Sequence, residues 1–257
     1  MDYAVFGNGN RPLVIIPGLT LRNVKGSGAG LALMYRCFAK EYRVYIIDKP
    51  DDISTECTVV ELANHTADAM RILGITKACV FGVSLGGMIA QELAIEHPDL
   101  VSQLVLGVTA SRPNDTMRTV INRWIVSAQN GNYCDIIHDM LTIMYSPSYV
   151  KRYGWLFPLL AKFFKPKNEE RFIRLASACL TCSSYDRLEK IIAPTLVLGG
   201  EKDAIVTPDA SYEIAQNLKC ELHLYEGLGH SAYEETPDFN RRMKKFFDDN
   251  RPKESTL

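Results

Sequence analysis

The chain has 257 residues, of which 47% are hydrophobic and 23% are charged, and its formal net charge at pH 7 is −1. This composition is typical of a folded globular protein and is too apolar for a disordered chain. The balanced charge, without a long run of lysine or arginine, argues against nucleic-acid binding. The sequence shows neither a secretion signal nor an apolar stretch of about 18 residues, so we expect a cytoplasmic protein without stable membrane insertion.

Seven cysteines are scattered along the chain rather than grouped around short loops, and their number is odd. This distribution indicates reduced thiols rather than a disulfide framework. Cys179 and Cys182 form a C-x-x-C motif, which is compatible with redox activity or with half of a zinc site. Because no second cysteine or histidine pair accompanies the motif, we interpret both residues as buried apolar side chains and expect no metal and no cofactor.

Short apolar segments rich in β-branched residues alternate with longer segments of helical periodicity. This alternation predicts an α/β fold, with a mostly parallel central sheet and helices on both of its faces. The first predicted strand, at residues 3–6, is followed by a turn at 7–10, and we expect these to form a hairpin at the sheet edge. Six further strands are predicted at residues 13–16, 44–47, 79–82, 104–108, 195–198 and 222–225.

Three helices of the predicted core have clear boundary signals. Thr58 and Glu61 form a capping box at the start of the first, and Gly74 marks its end. The second is predicted at residues 85–96 and the third at residues 238–249, near the end of the chain. Together with the strands, they predict the layered arrangement of an α/β protein.

Between residues 112 and 190 the alternation of strands and helices gives way to helical periodicity with many aromatic residues. We therefore predict a helical lid inserted into a core that is formed by residues 1–111 and 191–257. An insertion between two strands is expected to cover the strand ends, where open α/β sheets bind their ligands.

Three residues of the predicted lid, Trp155, Phe157 and His138, are candidates for substrate contact. Trp155 and Phe157 belong to an apolar, aromatic segment at residues 153–160. Such a segment either lines a pocket and packs on the core, or dips into a lipid surface. We favour packing and pocket lining, because Pro158 interrupts any long amphipathic helix.

A G-x-S-x-G motif at residues 82–86 supplies a candidate nucleophile, Ser84. The motif alone is weak, because glycine and serine are common residues. Its context is more specific, since a predicted strand runs into it and a predicted helix runs out of it, as in a nucleophile elbow. Glycines leave room for a strained turn, and the serine then lies at a helix N-terminus, where N–H groups stabilise negative charge.

A serine nucleophile needs a general base, and the base needs an orienting carboxylate. Asp203 and His230 each follow the end of a predicted strand. The order serine, aspartate, histidine along the chain is the order expected with a nucleophile elbow. We therefore assign Ser84 as the nucleophile, His230 as the base and Asp203 as the acid, with Glu201 and Asp209 as the competing acids.

Over residues 13–247 the chain resembles the α/β-hydrolase superfamily. The segment Pro-Thr-Leu-Val-Leu-Gly-Gly-Glu-Lys-Asp at 194–203 and the segment Gly-Leu-Gly-His at 227–230 are similar to its lid-bearing branch of serine esterases, lactonases and haloperoxidase-like enzymes. This resemblance implies an oxyanion hole formed by the backbone N–H groups of Leu19 and Leu85.

Two segments depart from the pattern of the superfamily. Relatives tend to carry His-Gly at the oxyanion loop, where this chain has Pro17 and Gly18, and the loop is then lengthened over residues 20–30. After the following strand, relatives tend to carry an Asp-x-x-Gly-x-Gly turn, where residues 48–52 read Asp-Lys-Pro-Asp-Asp. We expect the second departure to reshape the entrance to the pocket.

These observations predict a serine hydrolase that cleaves carboxylic esters of small to medium, largely apolar substrates through an acyl-enzyme. Hydrolysis of a lactone or of a carbon–carbon bond, or perhydrolysis, is the alternative within enzymes, because the same triad serves all of them. A non-catalytic ligand receptor on the same fold is the alternative from another class. The expected partner is a small ester-like molecule, and we expect a monomer or a homodimer.

Overall fold

The computed structural model describes residues 1–25, 27–156 and 168–251. Its seven strands are β1 (Tyr3–Phe6), β2 (Arg11–Ile16), β3 (Tyr42–Ile47), β4 (Ala78–Val83), β5 (Val101–Gly107), β6 (Thr195–Gly200) and β7 (Glu221–Tyr225). They form one sheet in the spatial order β1-β3-β2-β4-β5-β6-β7. β1 is antiparallel to β3, and the other neighbouring pairs are parallel. The mostly parallel sheet predicted from the sequence is confirmed.

Helices connect the strands and cover the sheet. The described α-helices are α1 (Gly28–Met34), α2 (Val59–Ile72), α3 (Leu85–Glu96), α4 (Asp115–Gln129), α5 (Tyr133–Met144), α6 (Pro147–Tyr153), α7 (Glu169–Cys179), α8 (Pro208–Leu218), α9 (Ala232–Glu235) and α10 (Pro237–Asp249). The capping box at the start of α2 is complete, because the side chains of Thr58 and Glu61 each accept a hydrogen bond from the other residue's amide. The three helices with clear boundary signals are therefore confirmed as α2, α3 and α10.

The central strands are apolar because both faces of the sheet are covered. Every residue of β4 is buried. On β2, Val14 and Ile16 pack in the cluster that contains α2 and α3, whereas Leu13 and Ile15 pack in the cluster that contains α10. Side chains alternate between the two faces along a strand, so both sets of positions must be apolar.

The prediction that β1 and β2 form a hairpin at the sheet edge is wrong. Residues 3–6 do form the edge strand, but β1 pairs with β3 instead of β2. The amide of Asn8 donates a hydrogen bond of 2.9 Å to the carbonyl oxygen of Ala39, just before β3. A side chain on Gly7, which has φ +86°, would approach the Tyr42 carbonyl oxygen to 2.3 Å. The glycine turn thus carries the chain across the start of β3, which leaves β2 on the far side of that strand.

The helices α4 to α7 lie between β5 and β6, and the described part of residues 112–190 contains no strand. Met117 and Trp124 of α4 belong to the same buried cluster as Phe172 of α7 and Met88 of α3. This segment therefore packs directly on the helices of the sheet. Its separation from a core of residues 1–111 and 191–257 stays a prediction. Throughout the described ranges, no helix combines the length and apolarity needed to cross a membrane.

The C-x-x-C motif lies in the protein interior. Cys179 and Cys182 are both buried free thiols. Their sulfur atoms donate to the carbonyl oxygens of Leu175 and Ala110. Burial raises the pKa of each thiol to about 12, which keeps both protonated and unreactive at neutral pH. Among the described residues, no cluster of histidine, cysteine, aspartate or glutamate is arranged to hold a metal ion.

Candidate active site

The three predicted catalytic side chains lie at one edge of the sheet. Ser84 follows β4 near the centre of the sheet, Asp203 follows β6, and His230 follows β7. Parallel strands end at the same edge, so residues that are far apart in the sequence converge there.

Ser84 occupies a strained turn between β4 and α3, with φ 54° and ψ −120°. A positive φ is uncommon for a residue other than glycine. The Ser84 amide donates to the Gly107 carbonyl oxygen at 2.9 Å, and its carbonyl oxygen accepts from the Gly87 amide at 2.8 Å. A side chain on Gly86 would come within 1.9 Å of the Ile16 carbonyl oxygen. Glycine at this motif position therefore allows α3 to approach the end of β2.

A continuous hydrogen-bond relay joins the three side chains. The Nε2 atom of His230 lies 3.0 Å from the Ser84 Oγ atom. Its Nδ1 atom lies 2.8 Å from Oδ2 of Asp203, and both side chains of this pair are less than 5% exposed. A carboxylate accepts hydrogen bonds only, so Nδ1 carries the hydrogen and Nε2 is free to accept the serine hydroxyl.

The loop that carries Asp203 is held from two sides. Oδ1 of Asp203 accepts hydrogen bonds from the amides of Ile205 (2.9 Å) and Val206 (3.1 Å). The Asn114 side chain donates to the Val206 carbonyl oxygen at 2.7 Å, and its own oxygen caps α4 through the Met117 amide. The acid is therefore fixed both by its own loop and by the first helix after β5.

The competing acids do not reach the histidine. Glu201 is exposed, and its carboxylate accepts a hydrogen bond of 3.1 Å from the Gly227 amide. Asp209 is exposed in the first turn of α8. Of these three carboxylates, Asp203 is the one in contact with His230.

A cavity of about 30 Å³ opens beside Ser84 and His230. Apart from these two residues, its described walls are apolar or uncharged, and they contain no lysine, arginine, aspartate or glutamate. The remaining wall residues are Gly18, Leu19, Met88, Met117, Ile121, Trp124, Met140, Met144, Cys179, Ile205, Val206 and Tyr233. Five of them come from α4 and α5, so these two helices supply a large part of the wall.

Two of the three substrate-binding residues expected from the sequence, Trp155 and His138, do not form the described part of this wall. Trp155 is 68% exposed and does not line the cavity. His138 is exposed on α5, because the face of that helix that carries Met140 and Met144 is turned to the cavity instead. Phe157 lies outside the described residues. Helical periodicity in the sequence pointed to the right segment but not to the side chains that face Ser84.

Two backbone N–H groups near Ser84 are available for a developing oxyanion. Leu19 lines the cavity, and a side chain on Gly18 would lie 3.2 Å from Cβ of Ser84. Leu85 is the first residue of α3, where amides have no acceptor within the helix. Among the described residues, neither the Leu19 amide nor the Leu85 amide donates a hydrogen bond. The arrangement is compatible with the oxyanion hole implied by the family resemblance.

Thr109 supports the strained serine, and the sequence analysis missed it. Its hydroxyl donates a hydrogen bond of 2.7 Å to the Ser84 carbonyl oxygen. Val108, the residue before it, has a positive φ of 43°, which is rare for a β-branched side chain. A polar residue just beyond β5, at the edge of the sheet where ligands bind, is the signal that could have found Thr109.

A buried ion cluster follows β3. Asp48 pairs with Lys49 (3.3 Å) and with Arg171 of α7 (3.1 Å), and these three side chains are at most 4% exposed. Burial by itself raises the pKa of Asp48, but the two cations, together with hydrogen bonds from the Val24 and Lys49 amides, hold that pKa below its ordinary value. Burial lowers the pKa of Lys49, and Arg171 adds to this, while Asp48 opposes it. From the sequence, the turn at residues 48–52 was expected only to reshape the pocket entrance, and neither the ion cluster nor Arg171 was foreseen.

A model of the alpha/beta hydrolase family matches residues 13–239, and the chain belongs to this family. It is 29% identical over 265 residues to a 2-hydroxy-6-oxononadienedioate/2-hydroxy-6-oxononatrienedioate hydrolase of Burkholderia vietnamiensis, covering 96% of this chain and 90% of that protein. It is 22% identical to 3-oxoadipate enol-lactonase 2 of Acinetobacter baylyi, covering 96% of this chain and 94% of that protein. The two relatives are hydrolases, which supports hydrolase chemistry for this chain.

The fold is shared with solved structures of the same class. The crystal structure of MGS-M2, an alpha/beta hydrolase enzyme from a Medee basin deep-sea metagenome library, superposes with a TM-score of 0.86. The two chains are 22% identical, and the match covers 96% of this chain and 94% of that chain. At this identity the likeness establishes the fold, and the choice of substrate must be argued from the cavity.

Proposed function

We propose that the protein is a serine hydrolase that cleaves carboxylic esters of small to medium, largely apolar substrates. The observation that carries this proposal is the hydrogen-bond relay from Ser84 through His230 to Asp203 beside an apolar cavity. Activation of a serine hydroxyl needs this combination of a base within hydrogen-bond reach and a carboxylate that orients the base.

The relay suits a two-step reaction. His230 accepts the proton of the Ser84 hydroxyl as Oγ attacks the carbonyl carbon, and Asp203 stabilises the resulting imidazolium. The oxyanion accepts hydrogen bonds from the amides of Leu19 and Leu85. The imidazolium then returns its proton to the leaving alcohol, and water hydrolyses the acyl-enzyme through the same steps in reverse.

The cavity favours an uncharged acyl group. Its described walls include four methionine side chains, at positions 88, 117, 140 and 144, and no cation that could pair with a substrate carboxylate. Burial of a carboxylate without a partner is costly, whereas methionine adapts to apolar groups of irregular shape. An apolar acyl group therefore matches these walls better than a dicarboxylate does.

Lactone hydrolysis is the second candidate, and the similarity to an enol-lactonase favours it. A lactone passes through the same oxyanion and acyl-enzyme, except that the alcohol stays tethered to the acyl group. Hydrolysis of a carbon–carbon bond and perhydrolysis use the same triad, so they belong in the same substrate panel.

The decisive experiment labels the purified protein with a fluorophosphonate and locates the adduct by mass spectrometry. We expect one adduct, on Ser84, because this hydroxyl has an activated base as its partner. Hydrolysis of p-nitrophenyl esters, lactones and β-diketones is then measured with wild type and with Ser84→Ala, which should lower kcat by about 10³-fold or more.

Ser211→Ala is the matched control, because Ser211 is a buried serine that lies on α8 and does not line the cavity. It should keep both the adduct and the activity. Labelling that survives Ser84→Ala contradicts the assigned nucleophile. A protein that binds esters but neither reacts with the probe nor turns them over is a ligand receptor rather than an enzyme.

A further inference from the structure

Lys49 directs its ammonium group at the backbone of the oxyanion loop. Its Nζ atom donates hydrogen bonds to the carbonyl oxygens of Pro17 (3.1 Å) and Gly18 (2.7 Å). The Lys49 side chain is 1% exposed, so these carbonyl groups replace water as its partners together with Asp48. A lysine is almost never buried to this extent unless it is fully paired.

The contact with Gly18 fixes the direction of the next N–H group. The Gly18 carbonyl and the Leu19 amide belong to one peptide unit, and in a trans peptide the C=O and N–H bonds point in opposite directions. With the carbonyl held by Lys49, the Leu19 N–H points away from the ammonium group. Leu19 lines the cavity beside Ser84, so this is the N–H group that an oxyanion on Ser84 can meet.

Asp48 holds the other end of the same loop. Its Oδ2 atom accepts a hydrogen bond of 2.8 Å from the Val24 amide, while Oδ1 pairs with Arg171 at 3.1 Å. Arg171 also donates to the Lys49 carbonyl oxygen at 2.9 Å. The loop between β2 and α1 is therefore tied to the end of β3 at both of its ends, through one charged cluster.

The cluster also carries net positive charge. It contains one buried carboxylate, Asp48, against two buried cations, Lys49 and Arg171. The further carboxylate near Arg171, at 3.6 Å, is that of Asp51, which is 54% exposed and screened by water. A cation bound to a carbonyl polarises the whole peptide and strengthens its N–H as a donor.

We propose that Lys49 is a positioning residue for catalysis. It holds and polarises the Gly18–Leu19 peptide so that the Leu19 N–H stabilises the oxyanion of the tetrahedral intermediate bonded to Ser84. This inference rests on the proposed serine hydrolase function. The alternative is that Lys49 only forms a structural ion pair. In that case its replacement would lower the free energy of unfolding but would not affect the transition state of ester hydrolysis.

The test compares Lys49→Met with wild type in ester hydrolysis and in binding of 1-butaneboronic acid, which forms a tetrahedral adduct with a serine hydroxyl. We expect kcat to fall by about 10- to 100-fold, because an oxyanion donor is displaced rather than removed. KM should change less than about threefold, because the neutral ester carbonyl of the bound substrate accepts a weaker hydrogen bond from this N–H than the oxyanion does. Affinity for the boronic acid should fall by a factor similar to the fall in kcat.

Lys244→Met is the matched control. Lys244 is also a paired lysine, bonded to Glu41 and Asp248, but it lies on α10 and is 23% exposed. This variant should keep kcat and boronic acid affinity even where its melting temperature falls. Lys49→Arg and Lys49→Gln retain a donor, so they should recover part of the lost kcat, and they replace Lys49→Met in the comparison if that variant does not fold.

The outcomes separate the two proposals. If folded Lys49 variants keep wild-type kcat and boronic acid affinity, Lys49 has only a structural role and this inference is overturned. If wild type is not labelled at Ser84 by the fluorophosphonate, the proposed function itself fails. Labelling of Lys49→Met at Ser84, at a lower rate than wild type, agrees with both.

Discussion

The hydroxyl of Thr109 donates a hydrogen bond of 2.7 Å to the carbonyl oxygen of Ser84, and this bond joins the end of β5 to the nucleophile turn. Strained backbone of this kind costs on the order of 1–3 kcal/mol and persists only where its surroundings hold it. Thr109 is 1% exposed, so water cannot replace its hydroxyl.

Thr109→Val should therefore lower both stability and activity. Valine keeps the branched shape but removes the donor, so we expect a loss of about 1 kcal/mol in the free energy of unfolding. A turn that is held less firmly should also lower kcat several-fold. Urea unfolding and ester hydrolysis measure the two effects.

Thr66→Val is the control for this comparison. Thr66 is also buried, and its hydroxyl donates to a backbone carbonyl, that of Leu62, within α2. Thr66→Val should lose a similar free energy of unfolding to Thr109→Val, while its kcat stays at the wild-type value. Equal kcat in the two variants would contradict the role assigned to Thr109.

Asp203→Asn should abolish most activity without unfolding the loop. The asparagine oxygen can still accept the hydrogen bonds from Ile205 and Val206, but its NH₂ group then faces Nδ1 of His230. The imidazole then adopts the tautomer in which Nδ1 accepts from the NH₂ group and Nε2 carries the hydrogen. In that tautomer Nε2 cannot accept the proton of the Ser84 hydroxyl. We expect kcat to fall by about 10⁴-fold with little change in KM.

Glu201→Gln tests the assignment of the acid on the same loop. Glu201 is exposed and bonded to the Gly227 amide, so its replacement should leave kcat near the wild-type value. If Glu201→Gln is the more damaging change, the acid has been assigned to the wrong residue. Steady-state kinetics with one p-nitrophenyl ester are sufficient for both variants.

The small cavity should limit the acyl chain length. In a series of p-nitrophenyl esters from acetate to dodecanoate, kcat/KM should rise at first, since each buried methylene contributes about 0.8 kcal/mol, or close to fourfold. The walls enclose about 30 Å³, so the maximum should lie among the shortest chains. Met140→Ala should move the maximum to longer chains by enlarging the cavity.

Trp155→Ala provides the contrast in the same series. Trp155 is 68% exposed and outside the described cavity wall, so its removal should leave the profile unchanged. A maximum that moves with Trp155→Ala but not with Met140→Ala would restore the sequence-based expectation and contradict the observed wall.

Acid should destabilise the protein partly through Asp48. The pKa of Asp48 is lower in the folded protein than its ordinary value, so the ionised carboxylate contributes stability above the unfolded pKa of about 3.9. This contribution is lost as the pH falls from there through the folded pKa. Urea unfolding between pH 6 and pH 2 should show a steep decline for wild type.

Asp48→Asn should be less stable at neutral pH, by about 3–5 kcal/mol, because it leaves Lys49 and Arg171 buried without their anion. Its decline below about pH 4 should be shallower than that of wild type, since one linked proton is missing. Asp68→Asn is the control, because Asp68 is 69% exposed and its replacement should change stability by less than about 0.5 kcal/mol. Parallel declines for wild type and Asp48→Asn would contradict this linkage.

The sequence by itself determined the fold class and the convergence of Ser84, Asp203 and His230. Alternating strand and helix patterns predict a parallel sheet, and every parallel strand ends at the same edge. A residue placed just after a strand is therefore assigned to a common site without any knowledge of side-chain contacts. Short-range signals, such as the capping box of α2 and the glycines around Ser84, set the boundaries of the elements around it.

Only the tertiary structure decided which strand lies beside β1, which side chains face the cavity, and what Lys49 and Thr109 contact. The pairing of β1 with β3 depends on the path of the turn at residues 7–10, which crosses the start of β3. The choice of Met140 over His138 depends on how α5 is rotated when it packs. These relationships join segments that are distant in the chain, so they follow from packing in three dimensions, and no local periodicity or spacing encodes them.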